Sequence, residues 1–284
     1  MTRRIPLLVT VAALGVGLTL TAGGPGFAGP APHRSTSFAF QSSGFGSRIH
    51  GGQIPAGSGT TSYQHIGCTN LAGRDKTNDV ADTTVPGLGT LSGVRTRTWT
   101  TMRHGVAAAH STHSIAELTL TSSGVGSVSI DAIHSRSTAF HDDQGFHGRA
   151  STTVGDITFR PTAGPAQSFP APTPDQPITI PGLGTISLGT RSGRHDSLGA
   201  TASAYALAVD VVATGTTAKV AHTHASIGGG LTSGIFGGHA AATMVVTALT
   251  GLAHSGPQPL LLMGCLGTRG HRVSKSVARV DLGG

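Results

Sequence analysis

Histidine is the residue whose number and spacing most invite chemistry in this chain, which contains 15 histidines in 284 residues. His222 and His224 are two positions apart, so on a β-strand their imidazoles would project from one face, a spacing that can chelate Zn²⁺ or Cu²⁺. A third ligand would have to come from His134 or His141. Because no local three-ligand motif exists, surface or turn histidines are the favoured interpretation, and we predict neither a resident metal nor a cofactor.

Other catalytic arrangements have little local support. No Gly-x-Ser-x-Gly elbow joins a strand to a capped helix, and no Gly-Lys-Ser/Thr follows the glycine-rich pieces. Asp75, Asp79 and Asp82 form a spaced acidic cluster that could bind Ca²⁺, although a solvated acidic turn is the favoured interpretation. We therefore predict no catalytic residues and a protein that is not an enzyme. A secreted hydrolase is the least favoured alternative.

Residues 1–28 have the three parts of a secretory signal peptide. Arg3-Arg4 forms the positive end, an apolar run follows, and small residues favour cleavage after Ala28, with Ala22 as the alternative. The apolar run is shorter than the ~20 residues that a spanning helix needs. We predict a secreted, extracellular protein with no membrane span once the signal has been removed.

Cys68 and Cys265 are the two cysteines of the chain, and each follows a glycine. In an exported protein an even pair of cysteines most often oxidises. Two buried thiols, or a metal pair with histidines, are the alternatives. We predict a disulfide between Cys68 and Cys265, which would stabilise the fold by ~5 kcal/mol in the chain-entropy model.

The composition and the periodicity both predict strands. The chain has 43 Gly, 15 Pro and 11% charged residues, and Glu117 is its one glutamate, which excludes a helical bundle or coiled coil. Ser203 to Val211 alternates, with Tyr205, Leu207 and Val209 on one face and alanines on the other. We predict an all-β fold, an antiparallel sandwich or jelly-roll-like domain. Further strands are expected at Ile115 to Leu120, Val125 to Ile133, Val154 to Phe159, Thr243 to Thr247 and Val273 to Leu282.

The chain also repeats itself, which predicts two internally repeated halves. Three collinear matches carry this prediction: 85–92 with 180–187, Arg103-His104 with Arg194-His195, and 145–150 with 235–240. A proline-rich stretch between the copies favours a semi-rigid connection. The predicted organisation is a signal peptide at 1–28, a first β half with an N-terminal extension at 29–160, a Pro-rich connector at 161–177 and a second β half at 178–284.

Pro-Gly-Leu-Gly pieces at 86–89 and 181–184, Gly-Cys pairs at 67–68 and 264–265, and paired Ala/Ser/Thr strands carry a resemblance to a known family. The chain resembles the actinobacterial choice-of-anchor P type family of secreted and surface proteins. That resemblance implies an extracellular β module without assigned chemistry, joined to an anchor. After Cys265 the chain shows neither a sorting motif nor a hydrophobic tail, which favours release or non-covalent retention.

The charge pattern limits the choice of partners. The formal net charge is +7, and the arginines are scattered rather than grouped with aromatic residues, so no specific nucleic-acid binding is predicted. A positive field still concentrates anionic polymers. We predict a non-enzymatic structural or interaction role at the cell envelope or in the medium, with cell-wall polymers or other surface proteins as partners.

A carbohydrate- or host-surface-binding module is the alternative function. Such modules usually present exposed aromatic platforms, and this chain has only Trp99, Tyr63 and Tyr205 beside its phenylalanines. Two of these three stand in core-like sequence contexts, which weakens the alternative.

Overall fold

The computed structural model describes residues 33–51, 60–85, 87–212, 214–229, 236–241 and 260–266. Within these ranges the chain forms β-strands and no helix, which confirms the all-β prediction. No helix suited to crossing a membrane occurs in this part of the chain. The predicted signal peptide at 1–28 and the predicted strands at 243–247 and 273–282 lie outside the described residues.

Two antiparallel sheets form the body of the fold, and we call them sheet I and sheet II. In spatial order, sheet I contains β10 (Ile178–Ile180), β11 (Gly184–Leu188), β13 (Gly199–Val211), β14 (Thr216–Gly228), β1 (Arg34–Gly51) and β2 (Gln64–Ala72), with β12 (Arg191–His195) also paired to β13. Sheet II contains β3 (Asp75–Val85), β4 (Gly89–Arg103), β5 (Val106–Ser122), β6 (Gly126–Asp142), β8 (Ile157–Pro161) and β9 (Gln167–Phe169), with β7 (Gly145–Thr153) also paired to β6.

The two sheets pack face to face as an open sandwich. β1 contacts β4 and β5, and β14 contacts β5 and β6. A separate hairpin of β15 (Phe236–Ala241) and β16 (Leu260–Leu266) lies near β1, β2 and β14. Strand β9 falls inside the predicted Pro-rich connector at 161–177, so part of that connector is an edge strand of sheet II.

The N-terminal strands belong to the sheet of the C-terminal half. β1 pairs with β14 from Ala39 opposite Gly228 to Gly51 opposite Thr216, and β2 forms the edge beyond it. The sequence prediction assigned the residues of β1 and β2 to the first half, because they precede that half directly along the chain. Sheet I is thus assembled from strands that lie far apart in sequence.

The two Pro-Gly-Leu-Gly pieces occupy equivalent hairpin turns. The amide of Leu88 donates to the carbonyl of Val85 at 3.0 Å, and the amide of Leu183 donates to that of Ile180 at 3.0 Å. Gly87 and Gly182 have φ values of 77° and 75°, a conformation that glycine adopts without strain.

Outside these two turns, the structure reproduces the predicted repeat only in part. The strand order β3-β4-β5-β6 in sheet II parallels the order β10-β11-β13-β14 in sheet I. The third sequence match, 145–150 with 235–240, has no equivalent strand pairing. β7 pairs with β6 of sheet II, whereas β15 pairs with β16 outside the two sheets.

The inward-facing residues change phase halfway along the central strands. Ala132 in β6 and Ala221 in β14 have positive φ values of 48° and 56°, which shifts the alternation by one residue. In β13, Leu207 and Val209 are therefore buried in the core, whereas Tyr205 lies opposite His222 on the outer face. The predicted single face of Tyr205, Leu207 and Val209 is wrong at this shift.

The shift divides the interior into two layers. On one side lies an apolar core of aliphatic side chains from both sheets: Leu91, Leu118, Leu120, Val128, Ile130, Ile157, Ile186, Leu207, Val209 and Val220. On the other side, which we call the small-residue layer, most buried side chains are alanines, serines and threonines: Thr96, Thr98, Ala109, Ser111, Ser135, Ser137, Ala202, Ala204, Thr223 and Ala225. Phe40, His113 and Ile227 are also buried on this side.

Small side chains let the two sheets approach closely in the small-residue layer. The Ser111 hydroxyl donates to the carbonyl of Ser43 at 2.8 Å, which links β5 to β1. Ser137 and Thr223 share a hydroxyl contact of 2.8 Å, which links β6 to β14. A Cβ placed on Gly44 would lie 2.8 Å from Cγ2 of Thr96, so nothing larger than glycine fits there without movement.

We expect Gly44→Ala to lower the free energy of unfolding by about 1–3 kcal/mol, because the added methyl overpacks the space between the sheets. The matched control is Gly228→Ala, where the nearest atom to the added Cβ is the Leu198 carbonyl oxygen at 3.8 Å. Urea unfolding followed by fluorescence measures both. Equal midpoints for the two variants would contradict the close approach.

Candidate functional site

The two candidate metal ligands, His222 and His224, share a face but belong to no metal cluster in the described part of the chain. His222 lies on β14 opposite Tyr205 of β13 and His224 lies opposite Ser203, so the expected common face is observed. His222 stacks on Phe45 with ring centroids 4.5 Å apart, and its Nε2 lies 3.3 Å from the Ser203 hydroxyl.

Burial makes both imidazoles hard to protonate. It lowers the pKa of His222 to about 3 and also lowers the pKa of His224. Low basicity alone would suit a metal ligand, since a metal binds the neutral ring. Among the described residues, however, no group of three His, Cys, Asp or Glu side chains is placed to hold an ion.

The other two candidate ligands have separate surroundings. His141 packs against Phe38 and Phe146, with ring centroids 4.8 Å and 4.6 Å away. His134 is exposed on β6 opposite Ser114. His141 is therefore packed against aromatic rings and His134 lies at the surface, and neither shares a site with His222.

His113 is the most deeply buried histidine of the described residues, and it is not among the candidate ligands named above. It lies in the small-residue layer, where its Nδ1 is 2.7 Å from the hydroxyl of Thr96. Thr96 donates its own hydrogen to the Ser62 carbonyl, so His113 donates Nδ1–H to Thr96. Its Nε2 has no hydrogen-bond partner among the described residues, and burial lowers the pKa of His113 to about 3.

These buried histidines predict a loss of stability in acid. The pKa values of His110, His113 and His222 fall to about 4, 3 and 3, below the ~6.5 of an unfolded histidine. The unfolded chain therefore binds more protons between these values, and stability is complete above pH ~6.5 and falls as the pH drops towards 3. We expect a slope of up to about 1.4 kcal/mol per pH unit for each histidine.

Urea unfolding at a series of pH values between 7 and 4 measures this slope. His110→Gln removes one of the three titrating histidines, the one on the outer face of sheet II. The slope should then fall by up to about 1.4 kcal/mol per pH unit. Identical stability at pH 7 and pH 4.5 would contradict neutral buried histidines.

The predicted acidic cluster is part of a strand rather than a turn. Asp75, Asp79 and Asp82 all lie on β3, where Asp79 is opposite Arg95 of β4 and Asp75 is opposite Trp99, diagonal to Arg97. Arg97 forms a bidentate contact with Asp75 at 2.5–3.2 Å, and Arg95 lies 3.4 Å from Asp79. These exposed pairs satisfy both carboxylates without a cation.

The outer face of sheet II carries stacked aromatic and cationic side chains. Trp99 of β4 stacks on His110 of β5 at 4.7 Å, and the Arg97 guanidinium lies 4.9 Å from the Trp99 ring. Trp99 is half-buried and points away from the core, as does Tyr205, which lies under the Lys219 ammonium in sheet I. Two of the three residues Trp99, Tyr63 and Tyr205 were predicted to have core-like contexts, and this is wrong for at least one of them, because Trp99 and Tyr205 both lie on outer faces.

A second stack lies farther along the same face. His147 of β7 stacks on Phe140 of β6 at 4.9 Å, and Arg149 lies 5.0 Å from the same ring. Asp142 accepts a hydrogen bond from Nε2 of His147 at 3.1 Å, which fixes the imidazole. Together the two stacks make an outward-facing surface of rings covered by guanidinium groups.

Three comparisons, with protein-family models, with curated proteins and with solved structures, found no match for this chain.

Proposed function

We propose that this protein is a secreted, non-enzymatic β-sandwich that acts through binding at the cell envelope, where cell-wall polymers or other surface proteins are its partners. The leader-like segment at 1–28 and the resemblance to the choice-of-anchor P type proteins support export. The observation that carries the binding role is the outer face of sheet II, where Arg97 covers Trp99 and Arg149 covers Phe140.

Physical chemistry favours this face as the contact surface. Aromatic rings bury large apolar areas and adsorb sugar rings or peptide groups, while the arginines attract anionic groups. The formal net charge of +7, of which Arg3 and Arg4 of the leader supply two, leaves the mature protein positive and adds a long-range attraction to acidic envelope polymers. A carbohydrate-binding module, the alternative predicted from the sequence, gains support from the outward position of Trp99.

We expect the mature protein to sediment with isolated cell-wall fractions at low salt and to be released as salt rises, because the Debye length shortens from ~10 Å at 0.1 M to ~3 Å at 1 M. Trp99→Ala should weaken retention, whereas Tyr205→Ala on the other sheet should not. A chromogenic ester and glycoside panel run in parallel tests for catalysis. Complete recovery in the supernatant at low salt, or turnover of the panel, would overturn the proposal.

We also propose that Cys68 and Cys265 form a disulfide. No cysteine in the described part of the chain is a free thiol, and β16, which contains position 265, lies near β2, which carries Cys68. The side chain of Cys265 lies outside the described residues, so the bridge itself stays a prediction. It would tie the β15–β16 hairpin to the edge of sheet I.

Mass spectrometry of the alkylated protein, with and without prior reduction, tests the bridge. We expect no alkylated cysteine before reduction, two after it, and a lower melting temperature for the reduced protein, because the cross-link restricts the unfolded chain. Cys68→Ser and Cys265→Ser should each match the reduced protein. Two alkylated cysteines in the unreduced protein would refute the pairing.

A further inference from the structure

An open groove of about 820 Å³ lies where the edges of the two sheets meet. β6 and β7 of sheet II form one side and β12 of sheet I forms the other. Its lining combines cations, hydroxyls and a ring: Arg136, Thr138, Phe140, Arg149, Ser151 and Arg191. Arg136 faces Ser151 across the strand pair, and Thr138 faces Arg149, so these side chains share the outer face of sheet II.

Two glycines bring β12 against β7 and thereby build the groove. A Cβ on Gly193 would lie 2.3 Å from the carbonyl oxygen of Gly148, and a Cβ on Gly148 would lie 2.2 Å from that of Thr201. Backbones can approach this closely only because both positions lack a side chain. The approach places Arg191 beside the arginines of sheet II, although more than forty positions separate it from Arg149.

The groove holds uncompensated positive charge. Arg136, Arg149 and Arg191 form no salt bridge with any described residue, whereas Arg95 and Arg97 on the same sheet pair with Asp79 and Asp75. The described lining residues include no aspartate or glutamate. The positive charge of Arg136 contributes to lowering the pKa of His110, after burial, which shows that its field reaches along the face.

We propose that this groove binds an acidic polysaccharide, with the three guanidinium groups contacting sulfate or carboxylate groups of successive sugars. Guanidinium forks match such anions bidentately, and the hydroxyls of Thr138, Ser151 and Ser192 can bond sugar hydroxyls between them. The groove is open to solvent, so an internal stretch of a polymer can enter it as well as a chain end. This inference rests on the proposed binding role and names its ligand class.

The experiment measures binding of the full chain to a heparin oligosaccharide and to polygalacturonate, with neutral dextran as the uncharged control. The test variant replaces Arg136, Arg149 and Arg191 with Gln. The matched variant replaces three exposed arginines outside the groove, Arg34, Arg103 and Arg160, and so removes the same charge. We expect the groove variant to bind either acidic glycan about tenfold more weakly and the matched variant about twofold.

Further measurements keep the outcomes distinct. Urea unfolding confirms that both variants fold, which their exposed positions favour. Replacing the three groove arginines with Lys keeps the charge but not the fork, and should recover only part of the affinity. Binding to dextran should be absent in every variant.

Equal losses in the two triple variants would overturn the groove as the site while leaving envelope binding in place. Tighter binding to single-stranded DNA than to either glycan would overturn the ligand class. Retention on cell-wall fractions without binding to any acidic glycan would overturn this inference alone. Absence of both would overturn the proposed function as well.

Discussion

Hydrogen bonds between the two sheets set the distance on which the rest of the structure depends. Where Ser111 reaches the Ser43 backbone and Ser137 meets Thr223, the facing side chains cannot be much larger than serine or threonine. On this side of the phase shift, most inward positions of β5 and β6 therefore hold alanine, serine or threonine, and His113 beside Gly46 is an exception. This is why Trp99 and Phe140 are found on the outer face, in company with arginines.

The two layers of the interior contribute differently to the fold. Aliphatic side chains on one side of the phase shift bury apolar area, the main favourable term in folding. The small-residue layer buries less apolar area and relies on close contact and on the hydrogen bonds of Ser111 and Ser137, whereas the buried hydroxyls of Thr98 and Ser135 have no partner among the described residues. Ala132 and Ala221, which adopt positive φ at the shift, allow both layers to be built from the same continuous strands.

Composition and alternation were enough to predict an all-β sandwich, because glycine, proline and β-branched residues act locally. The Pro-Gly-Leu-Gly turns were predictable for the same reason. The phase shift was not, since alanine at Ala221 gives no local signal of a positive φ. The arginine groove was also missed: its residues look scattered along the chain, and only the contact between β7 and β12 brings Arg149 and Arg191 together.

Placing β1 between β14 and β2 has a kinetic consequence. A chain that emerges from a ribosome or a secretion channel N-terminus first presents β1 long before β14 exists to pair with it. Until then its backbone donors and acceptors lack their longest partner strand, and an exposed strand edge invites association with other chains. Sheet I is completed only when β14 pairs with β1. This pairing is slow because two segments far apart in sequence have to meet, at a cost in chain entropy, before their contacts can stabilise the sheet. Until β14 has been made, β1 therefore has to stay solvated if the chain is to avoid association with other chains.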